Sequence, residues 1–174
     1  MPDMIDTILT RRSVREFTRE IISKQEIDTI LDCGRWAPSG LNNQPWKFVV
    51  VQERDTIDQL SQCTHYRDVV KGANLLIGVY LDKDTQYNHT KDILAIGAAI
   101  QNMLLACEDL GLGAVWLGEI LNQSDRVNAI LQAPPSLELM AVLAIGHPVS
   151  KKRTSHRKDL REIACNGIFD KPWA

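Results

Sequence analysis

Arg11-Arg12-Ser13-Val14-Arg15 places three guanidinium groups and a hydroxyl within five residues, directly after a short helix expected over residues 4–10. Such groups hold phosphate through short, charge-assisted and often bidentate hydrogen bonds. The run reads equally as a solvated basic face, where local charge clusters commonly lie. A second constellation, Pro38-Ser39-Gly40-Leu41-Asn42-Asn43-Gln44-Pro45-Trp46, packs turn formers and amides between a helix and a strand. Its side chains and backbone can read the donor and acceptor edge of a planar heterocycle, or it is a plain connection. The third, Gly111-Leu112-Gly113-Ala114-Val115-Trp116-Leu117-Gly118-Glu119, turns a buried helix into a strand and then into a glycine-containing loop. Gly118 has no β-carbon to keep a flat ligand from the backbone. This stretch is no dinucleotide fingerprint, because the third glycine of GxGxxG is missing and no strand precedes Gly111.

Composition removes several other chemistries. The 174 residues carry a formal net charge of -2, with 44% hydrophobic and 24% charged residues, which suits a soluble globular domain. Binding to nucleic acid or an anionic membrane face would need a broad basic surplus. The basic residues form two local groups instead, Arg11, Arg12, Arg15 and Arg19 near one end and Lys151, Lys152, Arg153, Arg157 and Lys158 near the other. Two such clusters in a slightly acidic chain suit a small anion. Cys33, Cys63, Cys107 and Cys165 form no CxxC pair, and His65, His89, His147 and His156 show no ligand spacing, so neither a metal site nor a dithiol centre is expected. The residues from Met1 onward show no basic region followed by an apolar run, and apolar stretches stop short of the ~20 residues that cross a bilayer. A cytoplasmic protein is expected.

The elements that position these groups alternate along the chain. Ser23-Lys24-Gln25-Glu26 has the form of a capping box, and the helix it starts should end near Trp36-Ala37, before Pro38. β-Branched and aromatic runs predict strands at 47–51, 74–81, 114–117 and 139–146. Helical periods are expected at 55–63, 90–110 and 124–131. The 90–110 segment is apolar on nearly every side, so it must be buried, within the chain or between subunits, and Gly111 and Gly113 are expected to cap it. Alternation by itself points to a doubly wound parallel sheet. No repeat or linker divides the chain.

Taken together, Arg-Arg-Ser-x-Arg, Pro-Ser-x-x-Asn-x-Gln-Pro-Trp and the glycine-bounded strand resemble the nitroreductase family of FMN enzymes in order and spacing, over nearly the whole chain. The resemblance implies one FMN-binding domain over 1–174 and an α+β fold, a central mixed sheet wrapped by helices, in an intertwined homodimer with FMN at its interface. That replaces the parallel-sheet reading. It also implies that NADH or NADPH is the co-substrate, that the chemistry occurs on the flavin with no catalytic side chain, and that small electrophiles such as nitro compounds or quinones accept the electrons by a ping-pong mechanism. Carried over by residue, Arg11 and Arg12 lie by the ribityl phosphate, and Ser13 and Arg15 reach the pyrimidine edge. Pro38, Ser39, Gly40 and Asn42 come from the second subunit, Leu117 and Gly118 with the backbone near Glu119 pass the reactive edge, and Arg157, or else Lys158, completes the phosphate grip. A flavin-binding redox sensor or carrier is the non-enzymatic alternative.

The chain departs from larger family members in having only residues 83–88 between the second strand and the long helix, which leaves no room for lid helices. A shallow, open pocket is expected. Residues 62–71 fit the family pattern poorly, so His65, Tyr66 and Arg67 either approach the flavin or simply pack or face solvent.

Overall fold

The computed structural model describes residues 3–150 and 154–173; Lys151, Lys152 and Arg153 of the second basic group lie outside the described residues, as do Met1 and Pro2. Helix α1, Met4–Thr10, leads through an extended segment to α2, Lys24–Arg35. The capping box is present in full: the Ser23 hydroxyl accepts from the Glu26 backbone and the Glu26 carboxylate accepts from the Ser23 backbone. Strand β1 is Trp46–Val51, followed by α3, Arg54–Ser61, and α4, Arg67–Gly72. Strand β2, Leu75–Asp82, then runs into the long helix α5, His89–Asp109. Strand β3, Gly113–Leu117, precedes α6, Ser124–Leu131, then β4, Leu137–Gly146, and the short α7, Leu160–Ile163.

The four strands make one sheet in the order β1-β2-β4-β3, and every pair is antiparallel. The doubly wound parallel sheet suggested by alternation is therefore incorrect. Alternation misleads here because β2 and β3 do run parallel to each other, joined by α5, whose 21 residues span ~31 Å. Strand β4 is inserted between them and pairs with both, Leu75 with Ile145 and Gly113 with Gly146 at one end. The fold is α+β; among the described residues parallel pairing enters only through an isolated bridge from Ser13 to Ala114.

All eight residues of β2 are buried, so the sheet is covered on both faces. Alternation divides them: Leu75, Ile77, Val79 and Leu81 pack with Ile27 and Ile30 of α2 and Ile96, Ile100 and Met103 of α5. Leu76 and Tyr80 face the other way, against Ile57 and Leu60 of α3, Val70 of α4 and Val127 of α6. Helix α5 is buried on one side only, with Leu94 69% exposed and open space above Gly97. Of the two glycines expected to end it, only Gly111 takes the left-handed conformation, with φ 74. Gly113 opens β3 instead, and a β-carbon there would lie 2.6 Å from Val14 Cγ1.

Candidate functional site

That close approach places the arginine segment. The Val14 backbone N–H donates to the Ala114 carbonyl at 3.0 Å, Ser13 bridges to Ala114, and Phe17 bridges to Pro148, so the segment lies along the free edge of β3. Arg12 Nη1 donates to the carbonyls of Leu9 and Arg11 at 2.8 Å each, satisfying acceptors left over at the end of α1. Its Nε is buried with no hydrogen-bond partner. Arg11 is half-buried and its pKa is lowered, first by burial and then by repulsion from Arg157 and Arg12, against an opposing pull from Glu108. Arg157, although 146 positions away in the chain (157 − 11), therefore lies within electrostatic reach of the same point. Arg157 Nη1 contacts the Ser155 hydroxyl and the His156 carbonyl. Lys158 is exposed, as is Arg15.

The segment between α2 and β1 is held under local strain. After the exposed Pro38 and the partly exposed Ser39, Leu41, Asn42 and Gln44 take φ of 54, 55 and 49, a left-handed region that L-residues occupy at a cost. Several fixed contacts oppose that cost. The Ser39 hydroxyl accepts from the Gln44 backbone at 3.0 Å, and the Asp82 N–H donates to the Pro45 carbonyl at 2.7 Å. Asn43, the neighbour of the expected cofactor residue Asn42, donates from Nδ2 to Asp92 Oδ1 at 2.9 Å. Asp92 Oδ2 accepts from the backbones of Tyr87 and Asn88 at 3.0 Å each, so one carboxylate ties the loop to the start of α5. Burial opposes ionisation of Asp92, but the bonds from Asn43, Asn88 and Tyr87 outweigh it and lower its pKa. The Tyr87 ring lies on Gly40, where a β-carbon would come within 2.3 Å of it.

The third segment ends as expected in an open backbone. Leu117 is buried, whereas Gly118 is exposed with nothing within 4 Å of the β-carbon it lacks. Beyond it, the Glu119 carboxylate accepts from the Thr64 hydroxyl at 2.5 Å and the His65 backbone at 3.1 Å, and His65 Nε2 lies 3.7 Å from its other oxygen. These bonds, the Thr64 one foremost, lower the Glu119 pKa. Thr64 is buried, while the His65 side chain is 93% exposed and Tyr66 and Arg67 are exposed.

Arg11 thus lies within electrostatic reach of Glu108, Arg157 and Arg12, and the Ser13 bridge joins this segment to the strand that leads to Leu117 and Gly118. The Pro38, Ser39, Gly40 and Asn42 loop packs on Tyr87 and α5, and among the described residues no hydrogen bond joins it to the arginines or to Gly118. Sequence reasoning missed Asp92 and Tyr87. A lone carboxylate at the head of an apolar helix, four residues after Asn88, was the available signal. The four cysteines are free thiols, and no cluster of three or more metal-binding side chains occurs among the described residues. No described helix is long and apolar enough to cross a membrane.

The pattern of the Nitroreductase family matches residues 8–65 and 58–147. A solved structure from Desulfovibrio desulfuricans, of a protein provisionally termed a nitroreductase and in complex with FMN, is 41% identical with a TM-score of 0.91, covering 100% of this chain and 99% of that one. A protein of Archaeoglobus fulgidus, provisionally named an NADH dehydrogenase/NAD(P)H nitroreductase, is 33% identical over 87% of this chain and 89% of its own. The FMN reductase (NADPH) of Bacillus subtilis is 27% identical over 86% and 68% respectively. The chain belongs to the nitroreductase family.

Proposed function

We propose that the chain is an FMN-dependent oxidoreductase that takes electrons from NADH or NADPH and passes them to small electrophiles such as nitro compounds or quinones. The observation that carries this reading is that Arg11 feels the charge of both Arg157 and Arg12, while Arg12 Nε is buried without an acceptor. Among the described residues no carboxylate hydrogen-bonds these guanidinium groups, although Glu108 attracts Arg11, and a phosphate fits the donor set they present. FMN bound in the D. desulfuricans relative supports the same group here.

When bound, FMN supplies the two-electron chemistry, and the protein need only hold it, tune it and leave one face accessible. Arg11, Arg12 and Arg157 hold the phosphate, with Lys158 as an alternative to Arg157. Ser13 and Arg15 serve the pyrimidine edge, where a cation favours negative charge. Leu117 and the exposed Gly118 offer backbone to the ring. Pro38, Ser39, Gly40 and Asn42 act from a second copy in a homodimer, a reading that accords with the lack, among the described residues, of any hydrogen bond from that loop to the arginines. Exposed apolar side chains on α1 and just beyond α2, Met4 and Trp36 at 74% each, supply surface for such a partner. One domain over 1–174, working in the cytoplasm, accommodates all these parts.

The absorption spectrum of freshly purified protein, with the released cofactor identified, tests the flavin directly. Colourless protein that takes up no FMN overturns the proposal. Donor and acceptor compete for one open face, so initial rates at several acceptor concentrations should give parallel double-reciprocal lines. Intersecting lines, or no anaerobic bleaching by either nicotinamide, overturn the ping-pong reading.

A further inference from the structure

Residues 83–88 connect β2 to α5 and lay the Tyr87 ring against Gly40. Tyr87 is fixed there from two sides, by its N–H to buried Asp92 and by its ring on Gly40, yet 42% of it is exposed. One helical turn on, the Lys91 ammonium lies 5.3 Å from the centroid of that ring. Among the described residues no carboxylate comes within 4.0 Å of Lys91: His89 faces Glu138 at 3.4 Å, and both oxygens of Asp92 are taken by Asn43, Tyr87 and Asn88. A shallow, open surface depression is lined by Pro38, Ser39, Gly40, Lys91, Leu94, Ala95 and Ala98. It therefore joins the loop assigned to the flavin with an uncompensated cation and an apolar floor.

We propose that Lys91, seated over the Tyr87 ring, selects the electron acceptor by pairing with an anionic substituent of a planar aromatic electrophile whose reducible group lies over the flavin. This rests on the function proposed above. With a nitroarene, each first turnover consumes one NAD(P)H and one proton and converts the nitro group to nitroso plus water. The carboxylate of the acceptor takes no part in bonding changes and serves only as the handle that Lys91 reads.

The test compares kcat/KM for 4-nitrobenzoate with that for 4-nitrobenzyl alcohol in FMN-loaded wild type, Lys91→Gln, Lys91→Glu and Lys91→Arg. Taking the ratio of the two acceptors cancels their intrinsic reactivity within each protein. The ratio should fall about three- to fivefold in Lys91→Gln, the range of an exposed ion pair, fall further in Lys91→Glu, and return in Lys91→Arg. Salt near 1 M, where the Debye length is about 3 Å, should erase the differences. Independently of turnover, benzoate should perturb the spectrum of the bound flavin at lower concentration than benzyl alcohol does, and Lys91→Glu should reverse that order. A ratio unchanged within about twofold in Lys91→Glu, a change that survives high salt, or weakened FMN binding in Lys91→Gln overturns the inference. The outcomes are separable, since colourless protein defeats the flavin reading itself, while yellow, active protein blind to acceptor charge defeats only the role of Lys91.

Discussion

Replacing Asp92 by Asn changes one atom in a fully buried side chain and breaks the junction between the strained loop and α5. The carboxylate accepts three N–H donors, from Asn43, Tyr87 and Asn88, at 2.9–3.0 Å. An amide offers one acceptor oxygen, so if it serves the two backbone donors, Asn43 either faces another N–H group or turns its amide over and gives up its bond to the Thr85 carbonyl. Charge-assisted bonds contribute ~1.5–3 kcal/mol each, and an unsatisfied buried donor costs ~1–3 kcal/mol, so Asp92→Asn should destabilise by about 2–4 kcal/mol. With a urea dependence of ~1–3 kcal/mol per molar, the unfolding midpoint should fall by about 1–2 M. The assay is urea unfolding followed by tryptophan fluorescence, at fixed protein concentration and with FMN in excess. The reciprocal change Asn43→Asp in the Asp92→Asn background returns a donor facing an acceptor, and should recover part of the loss.

The sign of the pH effect follows from the lowered pKa of Asp92. The unfolded chain binds the proton first as pH falls, so this stabilisation is complete above the ordinary aspartate value of ~3.9 and disappears as pH drops through the lower folded value. Wild type and Asp92→Asn should therefore differ by a constant amount at neutral pH and converge only below about pH 4. A midpoint within ~0.3 M of wild type at neutral pH would refute the claim that this carboxylate holds the loop.

Arg11→Ala or Arg12→Ala should weaken FMN by about 1.5–3 kcal/mol, less where exposed or at high salt, and riboflavin much less; equal weakening in titration calorimetry would place the arginines away from the phosphate. Gly113→Ala should push Val14 from the edge of β3 and cost about 1–3 kcal/mol by overpacking, with looser FMN binding, whereas unchanged melting would show that the arginine segment is placed by other contacts. Dilution followed by light scattering should show monomer and free FMN appearing together, and a stable monomer that keeps its flavin would sink the shared site. Changing all four cysteines to serine should leave turnover intact in folded, flavin-loaded protein, because burial pushes Cys107 up to about 12 and raises Cys63, which keeps both thiols protonated. A folded, yellow variant without turnover would assign a thiol to the chemistry.

Local signals were readable and non-local ones were not. The Ser23–Glu26 box and the end of α2 before Pro38 depend on neighbours within a few positions, and both appear where the sequence puts them. Strand order depends on which edge β4 finds, and no residue pattern in β2 or β3 encodes that a later strand will enter between them. Helix α4 has six residues, too few to show a period. Asp92 looks like a misplaced charge until Asn43, separated by 49 positions, is brought to it. The arginine motif and Gly118 could be singled out by type, yet their joining rests on Gly113, whose missing side chain is the space that Val14 fills.

The same dependence on distant partners explains why the strained loop tolerates three left-handed residues. Each costs ~1–3 kcal/mol, which an isolated connection in water would relieve by changing conformation. Here Gln44 is tied back to Ser39, Asn43 is tied to an ionised and wholly buried Asp92, and Tyr87 closes over Gly40. The loop is thus rigid where it meets α5 while Leu41, 87% exposed, projects outward from it. A segment held so firmly, with an apolar side chain turned to solvent, makes physical sense as the part offered to a second copy. Exposed Ile163, Phe169 and Trp173 near the other end of the chain are unburied in the same way. In the homodimer proposed above, that strain would fix the shape of one half of a site whose arginine half, along the edge of β3, comes from the other copy.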